Sequence, residues 1–525
     1  MAMEIKVLLL LIISFTSIVS TSLARSSIAW WCHKTPYPEL CEYYMRHHHP
    51  HHHRFAPKHL PEFRNIMIQI AINRALVVRK QVADFGVNCQ TWNQKAAWSD
   101  CLKLYDNTIL QLNQTLEELV EGKKCTEFDA QTWLSTALTN LQTCQRGSMD
   151  MNVSNFLAPI TSDNLTDLIR NSLAINGAFL HHKNYTPEAS PSWLTEQDKR
   201  FLLSTSVKGS ANLVVAKDGS GHYGTVQAAL DAAARRSSTG RFIIYVKRGV
   251  YRENIEVANN NNDIMLVGDG MRHTIITGSR SIKTGYTTYS SATAGIDGLG
   301  FMARDITFSN VAGPANGQAV ALRSASDLSV FYRCAIQGYQ DTLFVLSQRQ
   351  FYRECYIYGT VDFIFGNAAV VFQKCMIFAR RPITGQANMI TAQGRDDPYQ
   401  NTGITFHNCQ ILPDHSLTPV VSSVNTYLGR PWQQYARTVI LKTNISNMVN
   451  PAGWSQWGNS NFALDTLYYG EYGNYGPGAS TKRRVRWEGF HVITNPSEAS
   501  AFTVTNLIAG QSWLPATGVP FTAGL

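Results

Sequence analysis

Hydrophobic and polar positions change rhythm once along the chain, between Asn184 and Thr205. Before that point apolar residues recur at three- and four-residue steps. Leu102, Tyr105, Ile109, Leu112, Leu116 and Leu119 fall on one face of an amphipathic helix, and Phe128–Leu141 repeats the pattern. Such helices bury their apolar faces against one another, so residues from about 26 to 190 predict a small helix bundle. From Ala211 onward the apolar runs are short. Phe242–Val246, Ile264–Val267, Thr274–Thr277 and Ala369–Phe372 are β-branched or aromatic and are bounded by Gly, Asn and Asp, as strands are. The one strong helical signal in this half is Thr225–Ala234. Many short strands in an even rhythm fit a solenoid, a sandwich or a barrel.

An internal repeat chooses the solenoid. Phe331-Tyr-Arg-Cys334 and Phe351-Tyr-Arg-Glu-Cys355 open two similar segments and Cys375 begins a third, with cysteines 21 and 20 residues apart. Gly338 and Gly359 each follow their cysteine by four residues, and Asp341 and Asp362 each follow by seven. A period near twenty fits one coil of a parallel β-helix, whose equivalent residues stack about 4.8 Å apart. Asp341 and Asp362 then become neighbours on one face, and Cys355 and Cys375 lie on adjacent rungs, close enough to pair. Gln318 and Gln340, 22 residues apart, are expected beside the aspartates.

Other features add to this division. Residues 1–24, with Lys6, an apolar run from Val7 to about Val19 and small residues up to Ala24, read as a secretory leader. Export agrees with ten cysteines, some of them oxidised, and with five glycosylation sequons at Asn113, Asn152, Asn164, Asn184 and Asn444. Cys32 and Cys41 are expected to staple an N-terminal hairpin and Cys101 and Cys144 to join two helices, with Cys89 and Cys125 left as a third candidate pair. Residues 1–203 hold 19 Lys and Arg against 18 Asp and Glu, whereas 204–525 hold 27 against 19. The basic second half favours a polyanionic partner; in an exported protein that means an acidic polysaccharide or a membrane surface before nucleic acid. The His47–His53 tract is broken by Pro50 and reads as a loop rather than a metal site. The 186–210 stretch has linker composition and a dibasic pair, Lys199-Arg200, where a protease would separate the halves.

Two adjacent carboxylates in a partly apolar groove cannot both ionise freely, so their pKa values split. Arg430 is the candidate counter-charge for Asp362, which would stay ionised and attack while Asp341 keeps its proton. Stacked aspartates also form purely structural ladders, and the repeat alone does not separate the two roles.

Five motifs in order, Gly249-Val-Tyr-Arg-Glu253, Gln318-Ala-Val-Ala-Leu-Arg323, Gly338-Tyr-Gln-Asp-Thr-Leu343, Asp362-Phe-Ile-Phe-Gly366 and Leu428-Gly-Arg-Pro-Trp432, make residues 211–525 resemble the catalytic domain of plant pectin methylesterases. Residues 25–185 resemble that family's inhibitor-like pro-region, and Trp193 to Leu203 is similar to its processing site. The resemblance implies an all-β right-handed parallel β-helix preceded by an all-α four-helix bundle. It implies hydrolysis of galacturonate methyl esters, with Asp362 as nucleophile and Asp341 as proton donor and acceptor. Gln318 and Gln340 would stabilise the oxyanion, and Arg430 would orient Asp362 and hold substrate. Thr288, Trp432, Trp454 and Phe344 would be further substrate contacts. It implies no metal or organic cofactor, and a secreted monomer in the cell wall or apoplast. The expected partners are pectin, a processing protease and an inhibitor (a separate protein or the chain's own pro-region), with neither nucleic acid nor, once the leader is removed, a membrane. The chain departs from the family at Phe344 and Leu346, where Tyr and His are common, which bears on subsite preference and pH optimum. Two rival readings are a pectin-cleaving β-helix glycosidase or lyase and a non-catalytic inhibitor or wall-binding protein.

Overall fold

The computed structural model describes residues 27–47, 56–116, 126–180 and 205–525. The leader, His48–His53, Cys125, Leu119, Asn184 and the dibasic pair lie outside them. Helices α1 (Ile28–Cys32) and α2 (Pro38–His47) form a short hairpin. Four long helices follow: α3 (Leu60–Phe85), α4 (Trp92–Leu116), α5 (Glu127–Asp150) and, after the short α6 (Ser154–Thr161), α7 (Leu165–Leu180). Phe63, Met67, Leu104, Leu112, Leu138 and Leu168 are among the side chains buried between them. A capping box starts α5: Thr126 accepts from the amide of Asp129, and the Asp129 carboxylate accepts from the amide of Thr126. Disulfides Cys32–Cys41 and Cys101–Cys144 join α1 to α2 and α4 to α5. No helix among the described residues is long and apolar enough to cross a membrane.

The apolar stripe read on α4 accounts for only part of its burial. Leu102 and Ile109 are half-buried, whereas Asp100, Asn107 and Gln111 are buried. On α5, Gln131, Thr132, Ser135, Thr139 and Thr143 are buried as well. These polar faces pack on the second half of the chain, which is a parallel β-helix. Its strands form three sheets of 11, 7 and 8 strands, and every ladder is parallel. Each central coil contributes one strand to each sheet, so Leu322, Leu343 and Ile364 stand in register, as do Phe331, Tyr352 and Phe372. The inward rings stack: Phe331 on Tyr352 and Tyr352 on Phe372, each pair with centroids 4.7 Å apart. One corner repeats a left-handed residue in successive coils, at Asp305, Arg333, Glu354, Lys374, Asn408 and Lys442. Helix α8 (Val226–Ala234) caps the N-terminal end, burying Val226, Ala229, Leu230 and Ala233. Near the C-terminus Val504, Trp513 and Leu514 cover the outer face of the 11-stranded sheet at Val330, Phe351 and Val371.

The adjacent cysteines correct one expectation: Cys355 and Cys375 are not bonded to each other. With Cys334 and Cys409 they form an inward-facing row of buried thiols. Parallel register points successive Cβ atoms the same way, one above another, rather than towards each other. The thiols instead donate to carbonyls of the preceding coil, Cys355 to Phe331 at 3.2 Å, Cys375 to Tyr352 at 3.4 Å and Cys409 to Phe372 at 3.3 Å. Burial pushes the Cys355 and Cys409 thiols well above the ordinary thiol range, leaving them unreactive. Thiol labelling checks this. Cys334, Cys355, Cys375 and Cys409 should resist alkylation in the native protein and all react in denaturant without reduction; a linked Cys355–Cys375 peptide pair would restore the disulfide.

Candidate active site

The seven-stranded sheet carries a groove on its outer face, and register brings the sequence-predicted residues into it. Asp341 and Asp362 each lie two residues before a strand, Leu343–Val345 and Ile364–Gly366, and those strands are paired Leu343 to Ile364. Both aspartates adopt left-handed backbone, with φ of 60° and 49°. Asp tolerates that region better than most residues, and it turns both carboxyls onto the same face. Arg430 enters from two strands beyond Ile364–Gly366, and Ala392 on the strand between pairs with both Arg430 and Phe365. Two glycines allow the close packing. A Cβ on Gly366 would lie 2.1 Å from the Val345 carbonyl oxygen, and one on Gly394 would lie 2.7 Å from the Trp432 ring.

Arg430 clamps Asp362 in a two-point contact, Nε to Oδ1 at 2.8 Å and Nη2 to Oδ2 at 2.6 Å. Its guanidinium also lies 4.3 Å from the centre of the Trp457 ring. Among the described residues Asp341 makes no such two-point contact, although the Arg430 charge also acts on it. Burial, together with the charges of Asp362 and Asp150, pushes Asp341 well above the usual carboxylate range. Burial raises Asp362 too, opposed by Arg430. The pair is therefore asymmetric: of the two, Asp341 is the carboxyl pushed further towards its protonated form, and Asp362 is the one whose anion Arg430 favours. Gln318, Gln340, Thr288, Phe344 and Trp432 line the same cavity of about 190 Å³. Phe344 stacks on Phe365 at 4.3 Å, and Trp432 meets Phe365 edge-on at 5.7 Å.

Trp454 is the exception. It is 1% exposed, stacks on Tyr469 at 4.1 Å and donates its indole N–H to Glu471, inside the β-helix. A bridge between Trp454 and Gly429 turns it inward, and Trp457, three residues later, takes the groove position. Two aromatics this close in sequence gave no signal of which one faces out. Of the five sequons, Asn113, Asn152 and Asn164 are exposed on the helical unit and Asn444 is half-buried.

The helical unit supplies the rest of the cavity, through residues that the sequence did not single out. Thr143, Arg146, Gly147 and Asp150, from the last turns of α5, stand over the aspartates. The Thr288 amide donates to Asp150 at 3.2 Å, and Arg146 lies 5.4 Å from the centre of the Trp432 ring. Beyond the cavity, Lys103 pairs with Glu256 and Asp297, both at 2.8 Å, and these carboxylates also hold the buried Arg323. Asp129 pairs with Arg349 at 2.6 Å, and Arg170 pairs with Asp396 at 2.6 Å. Asp100 bonds the Thr287 hydroxyl, and burial pushes its carboxyl up to about 6.

The family model described as Pectinesterase matches residues 212–511, and the one described as Plant invertase/pectin methylesterase inhibitor matches residues 26–175. The chain is 58% identical to probable pectinesterase/pectinesterase inhibitor 59 of Arabidopsis thaliana, over 96% of this chain and 95% of that protein. It is 51% identical to pectinesterase 2 of Citrus sinensis over the whole of both. Among solved structures it resembles pectin methylesterase from carrot, with a TM-score of 0.59 and 58% identity, over 60% of this chain and 98% of that one.

The two tryptophans separate by experiment. Trp454→Ala removes a buried ring and should destabilise the protein by about 3–5 kcal/mol in denaturant unfolding. Trp457→Ala, on the groove wall, should cost about 1 kcal/mol or less.

Proposed function

The chain belongs to the pectinesterase family, and on that premise we propose that it hydrolyses methyl esters of polygalacturonate in pectin, releasing methanol. The observation that carries the mechanism is the asymmetric pair: Arg430 clamps Asp362 in a two-point contact that favours its anion, while burial and the Asp362 charge push Asp341 towards its protonated form. Asp362 attacks the C6 carbonyl carbon, and Gln318 and Gln340 donate to the oxyanion that forms. As the C–OCH₃ bond breaks, Asp341 gives its proton to the departing methoxide, which leaves as methanol. Water then attacks the acyl-enzyme, Asp341 takes up the water's proton, and the Asp362 carboxylate is released with free galacturonate. Trp432 and Trp457 offer flat faces to the sugar rings on one side of the dyad, and Thr288 contacts substrate on the other.

The chain is organised as a leader over 1–24, an inhibitor-like pro-region over 25–185, a linker over 186–210 with its processing site near Lys199–Leu203, and a catalytic β-helix over 211–525. The leader directs the protein out of the cell to the wall, where the basic catalytic half favours an acidic polysaccharide. The pro-region masks the groove until the linker is cut, a reading supported by Arg146 and Asp150 standing in the groove.

Highly methylated pectin tests the reaction class: the released catalytic unit should yield methanol without chain shortening, and shortening without methanol would favour a glycosidase or lyase. Asp362→Asn should lower methanol release by at least about 10³-fold, with folding unchanged by circular dichroism. Gln318→Ala and Gln340→Ala should each cost about 10²-fold in kcat.

Docking of the pro-region should also depend on pH. Asp100 has an ordinary value of 3.8 and about 6 when docked, so docking takes up a proton between those values. Its contribution is complete below pH 3.8 and is lost as pH rises through 6. The Asp129–Arg349 pair works in the opposite sense, because Arg349 holds Asp129 below its ordinary value despite burial. From Asp100 alone, affinity between the cleaved halves should fall about tenfold from pH 5 to pH 7, and Asp100→Asn should flatten that dependence.

A further inference from the structure

The helical unit roofs the reactive centre without filling it. Between the last turns of α5 and the two aspartates lies the cavity of about 190 Å³. Its ceiling includes Gly147, which has no side chain to lower into it. Among the described residues no side chain of the helical unit hydrogen-bonds the carboxyl of Asp341 or Asp362 or the amide of Gln318 or Gln340. The hydrogen bonds on Asp362 come from Arg430 of the β-helix itself. Gln318, Gln340, Arg146, Asp150, Trp432 and Trp457 are all half-buried, and the cavity they line is not fully enclosed.

The helical unit does close the groove to either side of that cavity. The groove runs along the stack of coils, with Thr288 ahead of the aspartates and Trp432 beyond them. Asp150 takes the Thr288 amide at one end, and Arg146 stands over Trp432 at the other. A polymer threading the dyad must occupy both places. A molecule confined to the space between them need occupy neither.

We infer that the uncut chain is already an esterase for methyl esters of small acids, and that docking excludes the polymer by size. This rests on the assignment of Asp362 and Asp341 above and extends it to a second substrate class. A dry cavity of about 150 Å³ accommodates a benzene-sized molecule, so the space over the dyad admits an ester of similar size. Methyl methoxyacetate has that size and reproduces the ring-oxygen, C5 and C6-ester fragment of a methylated galacturonate. Its turnover balances as the polymer's does: the Asp362 oxygen bonds to the carbonyl carbon and methanol departs with the Asp341 proton. One water then yields methoxyacetic acid and restores both aspartates.

The experiment compares the full chain, kept uncut by Lys199→Ala and Arg200→Ala, with the catalytic unit separated after cleavage of the unaltered chain. Methanol release is measured from methyl methoxyacetate and from highly methylated pectin. Separation should raise kcat/KM on pectin at least about 30-fold while changing kcat/KM on the small ester by less than about threefold. Asp362→Asn in the uncut chain should lower small-ester release by at least about 10²-fold, which ties the activity to this dyad. The inference is overturned if the uncut chain is inert on the small ester while the separated unit turns it over. It is overturned equally if both activities rise together on separation, or if neither form hydrolyses the small ester. A separated unit inactive on pectin would instead remove the underlying assignment, so the two failures are distinguishable.

Discussion

The structure depends on one constraint, the in-register hydrogen bonding of successive coils. A parallel ladder satisfies the backbone only at the spacing of adjacent strands, and that spacing is also a stacking distance for side chains. Inside the β-helix it gives the column Phe331, Tyr352 and Phe372 and the row of thiols beside it. Outside, the same register places Asp341 against Asp362, a separation at which the two charges resist each other. Core and reactive centre are thus two faces of one repeat. A slip of one residue would send the aspartates inward and the aromatic column out.

Arg430 breaks the symmetry that stacking creates. Two like carboxyls on neighbouring coils would otherwise share a proton evenly. The two-point clamp of Arg430 reaches only Asp362, while Asp341 faces the charges of Asp362 and Asp150. In the proposed mechanism one group attacks and the other donates, and each role follows from which neighbour the carboxyl has rather than from the carboxyl itself.

The helical unit adds a second level of asymmetry. Helices α4 and α5 bury two faces each: an apolar one within the bundle and a polar one against the β-helix. The polar seam satisfies its groups pairwise, as in Gln111 with Gln348 at 2.7 Å, Thr139 with Asn367 at 2.9 Å and Thr132 with Asn401 at 2.9 Å. A seam of this kind gives a specific docked geometry beside the apolar contacts of Val320, Phe344 and Phe365, which belong to the same buried cluster as the bundle core, and ion pairs such as Lys103–Asp297 and Arg170–Asp396 add charge complementarity. Such an interface is consistent with the proposed docking and later release of the helical unit.

Period and pattern determined much of this protein. The helix-to-strand change, the twenty-residue coil and the meeting of Asp341 with Asp362 follow from local rhythm, because a stacked repeat turns sequence distance directly into spatial distance. Where that conversion stops, so does legibility. Cys355 and Cys375 are neighbours by count, yet only the parallel direction of their Cβ atoms decided that they do not bond. Trp454 and Trp457 are three residues apart, and only the bridge to Gly429 decided which faces the groove. Asp100, Gln131 and Thr139 carry no apolar signal and are buried all the same, because their partners lie more than 180 residues away in the chain. The placing of α5 over the dyad belongs to the same class. It rests on contacts between two units of different periodicity, and no repeat carries information from one to the other.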